Sequence, residues 1–275
     1  MVSPRILQIA LSFVVAGAWI SSATLAGERL GSRLAGLITN LPSTIVVAML
    51  FVALTRGTAY AAAAAASVSI GMGLCVLFLL AFIVTIPRGL GVALGASFGA
   101  WLLAAWLVSL MPPPSLARGF LLYLLATGFA MLVLRWLVSI PPAPRRKLPF
   151  RLAVVVGRAL FAGAVVAGAV TAAQLAPPFL AGILSCFPAM YSSSLVILTR
   201  SQGAAFARAS GRVMILSSSS IIVYAVAVGI LFPRVGIWLG TLLAFALAAL
   251  YLLLLARFAR NGKDALRDPA WPGLR

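Results

Sequence analysis

Nine apolar runs of roughly 20 residues or more, each closed by Pro, Gly or Arg, constrain this chain more than any other feature. They cover approximately residues 6 to 26, 34 to 54, 58 to 86, 89 to 111, 117 to 140, 152 to 176, 179 to 199, 213 to 232 and 235 to 257. A bilayer core about 30 Å thick takes roughly 20 apolar residues per helix. Inside it each backbone N–H and C=O must be satisfied within its own segment, which leaves helices as the form such runs take. The expected fold is all-α, a polytopic transmembrane bundle of about nine spans. Composition agrees: 63% of the residues are hydrophobic and 9% charged, where a soluble chain carries about 25% charged.

The charge balance is +18, from 21 Lys and Arg against three acidic residues. The cations sit between apolar runs and not among polar residues, so a nucleic-acid partner is not expected. Their distribution reads instead as topology, because cytoplasmic loops retain Lys and Arg. With nine spans, Arg5, Arg56, Arg118 and Arg234 fall on one side. Fifteen fall on the other, including Arg29, Arg33, Arg88, Arg145, Arg200, Arg208, Arg212 and the cations from Arg257 onward. This places the N-terminus outside and the C-terminus in the cytoplasm of a bacterial inner membrane. Arg5 and the small residues from Ser21 to Ala26 also look like a secretory signal, but the repeat described next favours a retained first helix.

The inventory of reactive groups is short. There is no His, the acids are Glu28, Asp264 and Asp268, and both Cys (Cys75 and Cys186) lie in apolar runs. Metal clusters, carboxylate dyads and His-based nucleophile triads cannot be assembled from these residues. Neither an enzyme nor a cofactor or metal site is expected.

Sliding the chain against itself aligns its punctuation at one offset, 146 residues. Leu34-Ala35-Gly36 meets Leu180-Ala181-Gly182, Pro42 meets Pro188, Gly57 meets Gly203, and Pro87-Arg88 meets Pro233-Arg234. Residues 5 to 94 give 17 identities in 90 ungapped pairs, against roughly a tenth expected by chance in so Ala- and Leu-rich a chain. Spans 1 to 4 thus correspond to spans 6 to 9, and span 5 is a connector. An odd connector inverts the second copy about an axis in the membrane plane. The expected division is 1–111 for the first four-helix repeat, 112–144 for the connector helix and basic loop, 145–258 for the inverted repeat and 259–275 for a basic tail.

The stretch Ala35-Gly36-Leu37, Pro42, Arg56-Gly57, a long third span, then Arg88, Leu90, Ala93, Trp101 and Ala104-Ala105-Trp106 resembles the small four-helix bacterial inner-membrane proteins of the GlpM type. Ala181-Gly182-Ile183, Phe187-Pro188 and Gly203 repeat the resemblance, so the chain looks like two such units fused through span 5. It departs from them at Thr39 and Ser185, where those proteins carry Pro, and at Thr55, where they carry an acid. The resemblance implies an inner-membrane location and a link to envelope polysaccharide production, and carries over no catalytic residue.

Candidate sites follow from the interrupted spans. Pro42 and Pro188 each remove a helical hydrogen bond and free a carbonyl one turn back. Thr39, Asn40, Ser43 and Thr44 flank the first; Ser185, Cys186 and Ser192 to Ser194 flank the second. Paired interruptions in two halves point to a transporter's midplane site, whereas a packing kink with hydroxyls bonded to their own helix is the plain alternative. Arg200, Arg208 and Arg212 suit an anionic lipid or headgroup, or simple cytoplasmic anchoring. Ser217 to Ser220, Gly71, Gly73 and the ridge Gly91, Gly95, Gly99 read as close helix packing. The expected function is a small secondary transporter or lipid/sugar-intermediate translocator. The rival is a non-transporting subunit or scaffold of envelope machinery. Expected partners are the bilayer, anionic lipid, and a second copy or envelope subunits.

Overall fold

Glycines set the punctuation of the fold. The computed structural model describes residues 42–111, 115–136 and 178–265, with parts of 6–18 and 152–171. Among these residues there is no strand. The helices are α1 (Ser43–Arg56), α2 (Thr58–Thr85), α3 (Leu90–Ser109), α4 (Leu116–Trp136), α5 (Pro178–Ser185), α6 (Ala189–Gln202), α7 (Ala204–Ser217) and α8 (Ser219–Ala265). Gly57, Gly89, Gly203 and Gly236 hold φ of 89°, 113°, 93° and 79° with extended ψ. That region of backbone space is open essentially to glycine alone. Gly57, Gly89 and Gly203 start α2, α3 and α7, and Gly236 divides α8 into two helices across a kink, three residues after Pro233.

Thr58–Arg88, Leu90–Ser109, Leu116–Trp136 and Ala204–Leu255 are long and apolar enough to cross a membrane, and Ile45–Arg56 is a shorter apolar helix. The run expected over 179 to 199 is two helices, α5 and α6, separated by Cys186-Phe187-Pro188. The expected loop from Arg200 to Arg212 is helical apart from Gly203, so Arg208 and Arg212 stand on α7. The break expected at Pro233-Arg234 falls at Gly236, where α8 divides and the chain folds back, so that Tyr251 returns to donate to Ser219 Oγ at 3.0 Å. Positive charge marked these stretches as loops, but a single glycine turn suffices for the chain to change direction.

The core is built around α2. Its most apolar window is 78% buried, against 17% for those of α3 and α4. α3 buries Ala93, Ser97 and Trp101, and α4 buries Gly119, Tyr123, Ala130 and Leu134, one narrow stripe each. Their remaining faces expose Leu102, Leu103, Trp106, Leu124, Leu125, Phe129 and Leu132. Small residues let helices approach α2 closely. A Cβ at Gly119 would meet the Ala66 carbonyl at 2.5 Å, and one at Gly71 the Cys186 Cβ at 2.7 Å. Gly73 stands against Tyr123 and Ala126, so α4 runs parallel to α2. α7 and the first part of α8 run antiparallel to it, because Arg208 reaches Ile83 at one end of α2 while Gly229 stands by Ala62 at the other. The ridge Gly91, Gly95, Gly99 departs from its expected packing role. Nothing in the described chain lies within 4 Å of a Cβ at any of the three, because α3 turns its other face, Ala93-Ser97-Trp101, inward.

Candidate functional site

Pro188 has no N–H, so a continuous helix would leave the Leu184 carbonyl without a donor. The chain resolves this by tightening the end of α5: Cys186 N–H donates to Ile183 O at 3.0 Å and Phe187 N–H to Leu184 O at 3.1 Å. Backbone amides therefore do the work expected of flanking side chains. The turn also releases the Cys186 carbonyl, and here a side chain intervenes. The Cys75 thiol, from the middle of α2, donates to Cys186 O at 2.8 Å, while the Cys186 thiol points to Val68 O at 3.6 Å. Both cysteines are buried and neither is in a disulfide. The break is thus fastened to α2 by two thiols within apolar packing.

α6 begins at Pro188, whose O accepts from Ser192 N–H at 2.9 Å. No side chain caps this terminus, so the Ala189, Met190 and Tyr191 amides have no acceptor within their helix. Such a terminus carries a partial positive charge. Beside it Phe187 stacks on Phe98 at 5.9 Å and meets the Trp101 ring edge-on at 5.3 Å; Phe98 in turn meets Phe78 at 5.1 Å. The Trp101 indole N–H, whose electrostatic neighbour is the Cys75 thiol, is buried and makes no hydrogen bond of good geometry.

Hydroxyls extend this polar region through the bundle. Tyr191, on the first turn of α6, lies within electrostatic reach of Cys75, Cys186 and Tyr123. Tyr123 OH and Ser218 Oγ are 2.9 Å apart, and Tyr251 OH donates to Ser219 Oγ at 3.0 Å. Ser217, Ser218, Ser219 and Ser220 also bond back to carbonyls of the preceding turn. The serine run therefore both packs closely and receives two tyrosines, at the point where α7 gives way to α8.

Of the sequence-derived site residues, Pro42, Cys186, Pro188 and Ser192 are buried. Thr39 and Asn40 lie outside the described residues, as do the side chains of Ser43, Thr44 and Ser185. α1 starts at Pro42 with φ −73° and α6 at Pro188 with φ −74°; both have 14 residues and no side-chain cap. α1 and α5 are adjacent. Arg200 and Arg212 are exposed and Arg208 is half-buried. Cys75, Trp101, Tyr123 and Tyr191 were not among the site residues expected from the sequence, since each is an isolated residue in an apolar run. No family model, curated protein or solved structure matches the chain.

Proposed function

We propose that the chain is a polytopic bacterial inner-membrane protein of about nine spans. We read it as a small secondary transporter or translocator of a lipid or sugar intermediate, with its site at the break between α5 and α6. The observation that carries this reading is the start of α6, which no side chain caps, beside the buried Trp101 N–H, which makes no hydrogen bond of good geometry. Donors so placed suit a neutral or anionic solute with hydrogen-bond acceptors. Asn40 and the hydroxyls around Pro42 would form the matching half-site.

An inverted repeat is supported by the recurrence of backbone forms at the 146-residue offset: Pro42 with Pro188, and Gly57 with Gly203. It is supported further by the antiparallel pairing of α2 with α7–α8. Swapping copies turns the approach of Gly229 to Ala62 into that of Ile83 to Arg208, as a two-fold axis perpendicular to both helices demands. Arg88 and Arg208 fall at one end of α2, Arg56 and Arg118 at the other, which fits the orientation with the C-terminus in the cytoplasm. Under this reading the GlpM-type resemblance of the sequence would link the chain to envelope polysaccharide production.

In proteoliposomes the protein should move a solute or flip a lipid intermediate, and Pro188→Ala or Asn40→Ala should abolish the flux while leaving a folded protein. Undiminished flux in both variants removes the proposed site. The outward ridge Gly91-Gly95-Gly99 favours a second reading, a non-transporting subunit that uses this face for assembly. Co-purification of a stoichiometric partner with no flux would select it.

A further inference from the structure

Pro87 leaves the carbonyl of Ile83, four residues back, without its helical donor. Arg208 supplies one: its Nε–H donates to Ile83 O at 3.1 Å across the α2–α7 interface. A guanidinium carries five N–H donors in a rigid plane. Fixing Nε leaves the terminal pair of amino groups as an oriented fork, the geometry that takes two phosphate oxygens at once. That fork makes no ion pair among the described residues and stands on a half-buried side chain, and the same end of the α2–α7 interface carries the exposed apolar residues Val84 and Val213. Arg212 stands one turn further along α7, exposed. Arg88 and Arg200 are exposed at the same end, since Gly211 brings Leu195 of α6 to Ile83.

The other half of the chain shows that the fold does not itself require this arginine. Pro233 deprives the Gly229 carbonyl of its donor in the same way, yet the residue facing it, 146 positions before Arg208, is Ala62. The cation is confined to the end of the bundle that carries Arg88, Arg200 and Arg212.

We propose that Arg208, held by the carbonyl that Pro87 frees and assisted by Arg200 and Arg212, binds the phosphate of an anionic phospholipid at the cytoplasmic end of α2 and α7. The ligand chemistry is a phosphodiester whose acyl chains lie along Val84 and Val213. This rests on the membrane-spanning reading and is independent of any transported solute.

The test uses the full chain purified in detergent, partly delipidated, and offered phosphatidylglycerol or phosphatidylcholine, with retained lipid read by native mass spectrometry and stability by thermal unfolding. Wild type should retain phosphatidylglycerol preferentially, and Arg208→Gln should lower that retention about five- to tenfold. Arg118→Gln, at the opposite end, should leave it unchanged. Arg208→Gln also strips Ile83 O of its donor. The double variant Pro87→Ala/Arg208→Gln restores a backbone N–H there, and should fold normally and still lose the lipid. Equal phosphatidylglycerol retention in the double variant and wild type overturns the proposal. So does an equal thermal shift from millimolar inorganic phosphate alone, which would make this a free-phosphate site. A chain that fractionates as soluble without detergent sinks the membrane reading itself, whereas a membrane-inserted chain with no anionic preference sinks only the lipid site.

Discussion

Gly71→Ala tests the attachment of the helix break to α2 more directly than any other substitution. The added methyl would meet the Cys186 Cβ at 2.7 Å, its Sγ at 3.1 Å and the Ile183 Cα at 3.4 Å. Carbon atoms in contact prefer about 3.5 to 4.0 Å. The first two obstructing atoms lie at the root of a short side chain and the third is backbone, so no long side chain can swing aside. The end of α5 must retreat from α2 by about 1 Å. That retreat lengthens and weakens the 2.8 Å bond from the Cys75 thiol to Cys186 O. Overpacking of this kind costs about 1 to 3 kcal/mol, and an interhelical hydrogen bond in a membrane protein contributes about 0.6. Alanine recovers about 1 kcal/mol of helix propensity over glycine. The expected net loss is about 0.5 to 2.5 kcal/mol. It should appear as a lower Tm in detergent and as faster alkylation of Cys75 and Cys186 by N-ethylmaleimide, since both thiols are buried in the native protein. Gly95→Ala, where nothing lies within 4 Å, is the control and should not lower Tm. A Gly71→Ala protein with unchanged Tm and unchanged alkylation would refute the close approach of α5 to α2.

Gly57→Ala and Gly203→Ala place no atom against a neighbour, yet each forces alanine to a φ near +90°. Each should cost about 1 to 3 kcal/mol, read as a Tm loss without increased alkylation of the two cysteines. A double-mutant cycle of Tyr123→Phe and Ser218→Ala should give a coupling of about 0.6 kcal/mol; a coupling indistinguishable from zero would deny their 2.9 Å hydrogen bond. Trp101→Phe keeps an aromatic ring against Phe187 and removes an N–H that has no good acceptor. Because Trp101 is buried, the smaller ring should cost about 1 to 2 kcal/mol of stability while any flux falls in protein that is still folded, and unchanged flux would remove Trp101 from the solute path.

The local breaks were legible in the sequence because Pro and Gly act through backbone geometry alone. Pro42, Gly57, Pro188 and Gly203 bound α1 and α6 as the 146-residue alignment implies. The inward face of α3 was not legible. A helix apolar all round has no polar face to exclude, so the Gly91-Gly95-Gly99 ridge read as packing although α3 faces the other way. Arg208 was misplaced for a related reason. Charge marks loops in apolar sequence, but a guanidinium can also replace an amide that a distant proline removed, and that pairing across 125 residues leaves no local signal. Cys75 is another such case, its acceptor lying 111 residues away.

The central position of α2 bears on how the protein is made. The helices that cover its small-residue face, α5 to α8, begin at Pro178, more than 90 residues after α2 ends at Thr85. On the membrane-spanning reading, the part of that face covered by α5 to α8 waits against lipid during synthesis until the second half of the chain emerges and inserts. Ala64, Ser67, Gly71 and Cys75 suit the interval, because they are small or weakly polar enough to rest in hydrocarbon and to be displaced from it without leaving an unsatisfied charge. A nascent chain halted before Pro178 would hold α2 in place but unclasped, a natural substrate for membrane quality control.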